Sequence, residues 1–174
     1  MKKKCILQLP EYDGSLTALT FSSDGTYLIF STDRATYVWN FKEAKITCEV
    51  DYAWNAILYP LRENVVALSD GLGQPGGLSG LWDIQKCEKI QEYTHGVSYP
   101  AFSPNGELRA GILKDRILIT DVTSGEILKE IEIQPNNYFK LLFSPDGRFL
   151  LLEDYGSLGA ENNKDTFILW DVRQ

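Results

Sequence analysis

YFKLLFSPDGRFLLL, residues 138–152, predicts two apolar β-strands joined by the turn Ser-Pro-Asp-Gly. Asp-Gly between apolar runs is a strong hairpin signal, because both residues tolerate a positive φ. A third apolar run, FILWD at residues 167–171, follows after a longer polar connection. Together the three runs predict one antiparallel β-meander.

Weaker copies of this unit recur along the 174 residues, at intervals of roughly forty residues. The aromatic residues before the first turn are Phe21, Tyr59, Phe102 and Phe143. The third strands end at Trp39-Asn40, Trp82-Asp83, Thr120-Asp121 and Trp170-Asp171. Self-similarity at a fixed period indicates a repeat architecture, so we expect four repeats.

The pattern within each repeat predicts strands at different depths of the fold. Residues 27–30 and 149–152 are apolar at every position, which is typical of strands packed between two sheets. Residues 127–133 mix apolar and charged side chains, as expected for an outer edge strand protected against aggregation. The chain is therefore expected to be all-β.

The Phe-Ser-Pro-Asp-Gly motif, the apolar second strand and the ending Ile-Leu-Trp-Asp resemble the repeat of WD-repeat β-propellers. The resemblance covers almost the whole chain and is thinnest in the second repeat, which lacks the Asp-Gly turn. It implies one domain, 1–174, of four-stranded antiparallel blades around a central axis. The expected blades are 16–50, 55–94, 97–133 and 138–174, with an additional strand at 5–10.

The resemblance also implies a role for the additional strand at 5–10. It would supply the outer strand that the fourth repeat lacks, either in the same chain or in a dimer partner. Three forms of closure remain open: a four-bladed ring, an eight-bladed ring of two chains, and part of a longer propeller. An alternation between odd and even blades, described next, favours the homodimer.

Candidate partner-binding residues lie in the loops that enter the first strands and in the long second hairpins, 70–80 and 154–165. Tyrosine and tryptophan give large contact areas at low entropic cost, although such rings also wedge between blades. Both features alternate by blade, as if a pair of blades had been duplicated. The long hairpins occur in the second and fourth repeats, and Trp54 and Tyr138 each lie five residues before the strand aromatic, whereas Tyr12 and Tyr93 each lie nine before it. The candidates are Tyr12, Tyr52, Trp54, Tyr93, Tyr138, Gln74, Tyr155 and Glu161.

The composition and motifs favour a non-catalytic protein-interaction module, with no cofactor. The net charge of −7 disfavours nucleic-acid binding, and no apolar run is long enough for a membrane helix. The single histidine, His95, and the loop carboxylates match no metal-site spacing. The alternative is a small-ligand or hydrolytic site in the axial funnel of the propeller.

Three cysteines, Cys5, Cys48 and Cys87, are widely spaced and form no Cys-x-x-Cys motif. This spacing predicts neither a zinc site nor a disulfide framework, so a reducing compartment is expected. The N-terminal lysines precede an apolar run too short for a signal peptide. We therefore expect a cytoplasmic protein.

Overall fold

The computed structural model describes residues 14–70, 78–133, 138–154 and 166–173. All regular elements in these ranges are β-strands, and no helix long and apolar enough to cross a membrane occurs in them. The strands are β1 (Leu16–Phe21), β2 (Tyr27–Thr32), β3 (Ala35–Asn40), β4 (Lys45–Asp51), β5 (Asn55–Leu58), β6 (Val65–Ser69), β7 (Gly80–Asp83), β8 (Glu88–Glu92), β9 (Ser98–Phe102), β10 (Leu108–Leu113), β11 (Arg116–Asp121), β12 (Ile127–Glu132), β13 (Tyr138–Phe143), β14 (Phe149–Asp154) and β15 (Thr166–Asp171).

The strands form four antiparallel sheets that are the blades of a β-propeller. Blades 1, 2 and 3 contain β1–β4, β5–β8 and β9–β12, and the described part of blade 4 contains β13–β15. The predicted all-β propeller fold is therefore confirmed. The strand expected at 5–10 lies outside the described residues.

The predicted Asp-Gly and Asn-Gly turns form in blades 1, 3 and 4. Their glycines, Gly25, Gly106 and Gly147, have φ values of 67° to 70°. In blade 4, Ser144 Oγ donates to Asp146 Oδ1 at 2.5 Å and accepts from the Phe149 amide at 2.9 Å. Equivalent serine-centred bonds close the other two turns. The serine of the motif thus fixes the geometry that the glycine permits.

Blade 2 is displaced by one residue from the predicted alignment. In blade 4, Phe143 pairs with Leu150, the second residue of β14. In blade 2, the second residue of β6 is Val66, and it pairs with Leu58, not with Tyr59. The blade 2 turn is longer and has no Asp-Gly, so the aromatic residue was a misleading marker. Trp54 is consequently equivalent to Phe139, and its predicted equivalence to Tyr138 is wrong.

The hydrophobic core lies between consecutive blades. The interface of blades 1 and 2 is aliphatic around Ile29 and Val66, and that of blades 3 and 4 is aliphatic around Ile119 and Leu152. The interface of blades 2 and 3 also includes the Tyr93 ring. The inner strands contact one another in the order β1, β5, β9, β13. Among the described residues, no comparable contact joins β13 back to β1.

A disulfide bond joins blades 1 and 2. It links Cys48, buried on β4, to Cys87 in the turn between β7 and β8, with Cα atoms 5.3 Å apart. The prediction that no disulfide is present is therefore wrong. The two residues are 39 apart in sequence and meet only because the blades pack face to face.

Candidate functional site

The inner strands of all four blades line a cleft of about 560 Å³ beside the propeller axis. These strands meet at the cleft because each is the first strand of its blade and runs beside the axis. Lys140 is the only charged residue among the described residues that line the cleft. The lining residues are Thr17, Trp54, Asn55, Ile57, Ser69, Ser98, Tyr99, Pro100, Lys140 and Leu141.

Trp54 is held at the cleft by backbone bonds to two neighbouring elements. Its amide donates to the Ser69 carbonyl at 3.0 Å, and its carbonyl accepts from Thr17 Oγ1 at 2.7 Å. The side chain remains partly exposed. Tyr52, two residues earlier, is 72% exposed and has a φ of 60°. Both predicted candidates therefore present accessible rings at the start of β5.

Tyr99 is a cleft residue that the sequence reasoning missed. It has a φ of 52°, which is uncommon for a residue with a bulky side chain. Ser98 pairs with Ile112 and Ala101 with Ala110, so Tyr99 and Pro100 together stand opposite one residue. Such a bulge redirects side chains and recurs beside functional sites. Without the identity of the partner strand, the sequence carries no signal for this bulge.

Tyr93 was predicted to lie on the loop face, and this prediction is wrong. Its amide donates to the Ser79 carbonyl at 3.1 Å, which prolongs blade 2 beyond β8 and places the ring between blades 2 and 3. The Arg109 guanidinium carbon lies 3.8 Å from the ring centroid, and Nη2 donates to the His95 carbonyl at 2.8 Å. Burial raises the pKa of Tyr93 and lowers the pKa of Arg109 to about 10. This aromatic residue is part of the core.

The remaining candidates are described only in part or not at all. Tyr138 is the first residue of β13, where its backbone pairs with Asp154. The other four, and most of the two long hairpins, lie outside the described residues: Tyr12, Gln74, Tyr155 and Glu161. Within the part of the chain that the structure describes, no group of three or more His, Cys, Asp or Glu residues could hold a metal ion.

Residues 3–40 match the family model WD40, described as "WD domain, G-beta repeat". The match begins before β1 and ends with β3. No curated protein matches the sequence.

Several solved structures are similar to this chain. Hydrazine synthase of Kuenenia stuttgartiensis matches with a TM-score of 0.71 and 14% identity, over 90% of this chain and 51% of that one. The computationally designed Ika4 protein matches with a TM-score of 0.67 and 14% identity, over 98% and 99%. The β-propeller domain of Cps50 (Swd1) from Myceliophteria thermophila matches with a TM-score of 0.66 and 19% identity, over 92% and 60%. The chain spans about half the length of the hydrazine synthase chain, and these likenesses show the fold.

Proposed function

We propose that this chain, a WD-repeat β-propeller, is a non-catalytic protein-interaction module that binds its partner at the mouth of the axial cleft. Propellers of this family typically serve as interaction scaffolds. The one observation that carries the proposal is the cleft itself, where Trp54 and Tyr99 present partly exposed rings on fixed backbone. Rigid aromatic residues in a concave site are typical anchors of a protein interface.

The chemistry of the cleft supports a partner segment with one apolar side chain and one acceptor. The two rings offer an apolar surface, whereas Asn55 and Lys140 offer donors. Tyr52 is exposed in the connection before β5 but does not line the cleft. A protruding loop or chain end of a partner protein fits such a site, because its backbone can use the same donors.

The experiment replaces Trp54 and Tyr99 by photo-crosslinking amino acids, one at a time, in the full chain expressed in its source cells. We expect both positions to crosslink the same polypeptide, and Trp54→Ala with Tyr99→Ala to abolish its copurification. Leu128 on β12 is equally accessible but remote from the cleft, so Leu128→Ala is the matched control. Capture that survives the double substitution, with folding intact by circular dichroism, contradicts the proposal.

A small ligand is a second candidate occupant, because the cleft volume of about 560 Å³ lies in the range of ligand pockets. Native mass spectrometry of protein purified from source cells distinguishes the two candidates. A retained mass of a few hundred daltons that is lost in Tyr99→Ala would favour the ligand, and a polypeptide would favour the partner protein.

The proposal requires no cofactor, nucleic acid or membrane. It is compatible with the expected cytoplasmic location only if the Cys48–Cys87 bond is reduced in the cell, since disulfides persist mainly in oxidising compartments. Trapping free thiols with iodoacetamide during lysis tests this, and an oxidised pair in most of the cellular protein would exclude the cytoplasm.

A further inference from the structure

The outward side of blade 4 exposes apolar side chains whose equivalents in the other blades are buried. Phe167 and Leu169 on β15 are 61% and 59% exposed. Each equivalent position is 3% exposed or less, because the following blade covers it. The blades are aligned by the pairing of their second and third strands. In blades 1, 2 and 3, the positions equivalent to Phe167 are Thr36, Ser79 and Ile117, and those equivalent to Leu169 are Val38, Leu81 and Ile119.

The exposed side chains of blade 4 form one continuous surface across its sheet. Leu151 pairs with Leu142 on one side and with Leu169 on the other, and these residues lie on the face opposite the blade 3 interface. We call Leu142, Leu151, Phe167 and Leu169 the blade 4 face. Its side chains are apolar, like those of the internal blade interfaces, and no described blade packs against it.

Blade 1 shows the complementary exposure on its opposite side. Leu19 and Phe21 on β1 are 58% and 56% exposed, whereas their blade 4 equivalents, Leu141 and Phe143, are each 5% exposed against blade 3. Phe21 stacks on Phe41 with ring centroids 6.0 Å apart. We call Leu19, Phe21 and Phe41 the blade 1 face.

The outer part of the same side of blade 1 is already buried. Phe30 and its neighbours form a cluster in which no described residue of blade 4 takes part. The open surface is therefore concentrated along the inner strand β1 and at Phe41. Inner strands are also the elements that join consecutive blades elsewhere in this chain.

We propose that the blade 4 face of one chain packs against the blade 1 face of a second copy, and reciprocally, to close an eight-bladed ring. Along the inner strands, each interface would repeat the relation between consecutive blades that occurs three times within the chain. Two copies present both halves of both interfaces, so twofold symmetry leaves neither face uncovered.

The first test is the mass of the purified chain by light scattering over a wide concentration range. We expect twice the 19.7 kDa chain mass. Phe167→Asp with Leu169→Asp should weaken association roughly a thousandfold or more, because each ring loses two apolar side chains at two interfaces. Leu128→Asp, on the equally exposed β12, is the matched control and should leave the mass unchanged.

A mixing experiment tests the head-to-tail arrangement. The blade 4 face variant and a blade 1 face variant, Leu19→Asp with Phe21→Asp, are each expected to be monomeric. When mixed, they should form a complex of twice the chain mass, because one unmodified interface remains between them. A dimer made by two copies of the same face would not recover, and that result would overturn the proposal.

Phe167→Ser provides a variant that folds in the same local setting, since blade 2 has Ser79 at this position. It should weaken association while circular dichroism stays unchanged. A wild-type chain that remains monomeric at all concentrations, or that forms masses above the dimer, would overturn the closed eight-bladed ring. Loss of association in these variants is measured without any partner, so its outcome is independent of the proposed binding at the cleft.

Discussion

Removal of the Cys48–Cys87 bond is expected to destabilise the contact of blades 1 and 2 while both sheets remain formed. The bond spans a sequence separation of 39. A cross-link of this span restricts the unfolded chain by an amount equivalent to about 4 kcal/mol. Cys48 also packs in the core beside Ile29, whereas Cys87 lies in a turn at a φ of 58°. Cys87→Ala therefore removes the bond with the smaller loss of packing.

The measurement is urea unfolding of the wild type and Cys87→Ala, with and without a strong reductant, followed by tryptophan fluorescence. Trp82 packs at this interface and reports its opening. The free energy of unfolding should fall by about 4 kcal/mol in the variant. Reductant should cause the same loss in the wild type and none in the variant. Equal midpoints in all four samples, or alkylation of every cysteine in unreduced denatured protein, would refute the reasoning.

Three further predictions concern single positions. An alanine Cβ at Gly111 would lie 2.2 Å from Val97 Cγ2, so Gly111→Ala should lower the melting temperature, and adding Val97→Ala should restore it. Burial lowers the pKa of Arg109 to about 10, so its charged form costs stability below that pH, and this cost is lost as the pH rises through it towards the higher pKa of an exposed arginine. Relative to Arg109→Leu, the wild type should therefore gain stability between pH 8 and pH 11, and a loss would contradict this account. Hydrogen bonds from the Ser22 hydroxyl and the Thr26 amide lower the pKa of Asp24 to about 2. Ser22→Ala should therefore raise this pKa towards 3.8, measured by a carboxyl-carbon NMR titration. An unchanged titration would show that these bonds do not set the pKa.

The fold was predictable because its signals are local. Ser-Pro-Asp-Gly specifies a turn within four residues, and the two-sided apolar runs specify strands packed between sheets. Blade 2 shows where this reasoning fails. Its first turn has a different length, so Tyr59 was aligned with a position that Leu58 occupies. An error of one residue reverses the face of every side chain in a strand, which is why Trp54 was matched with Tyr138 and not with Phe139.

The candidate site was only partly predictable because burial between blades depends on residues far apart in sequence. Tyr93 and Tyr52 have similar loop contexts, but Arg109 of the next blade covers only Tyr93. Tyr99 was missed since its exposure follows from a bulge that involves two strands. The cysteine pairing depends on the same long-range packing.

The three internal interfaces differ from one another in chemistry. The first contains a covalent bond and the second a cation stacked on an aromatic ring, whereas the described residues of the third interface pack through aliphatic and aromatic side chains. Four similar repeats could otherwise associate in several orders during folding, as repeat proteins are prone to do. Misplacing blade 3 would bury Arg109 against a surface without Tyr93, and misplacing blade 2 would leave Cys87 without Cys48. The order of the blades is thus specified because any other pairing of blades would lose the disulfide bond or the stacking of Arg109 on Tyr93.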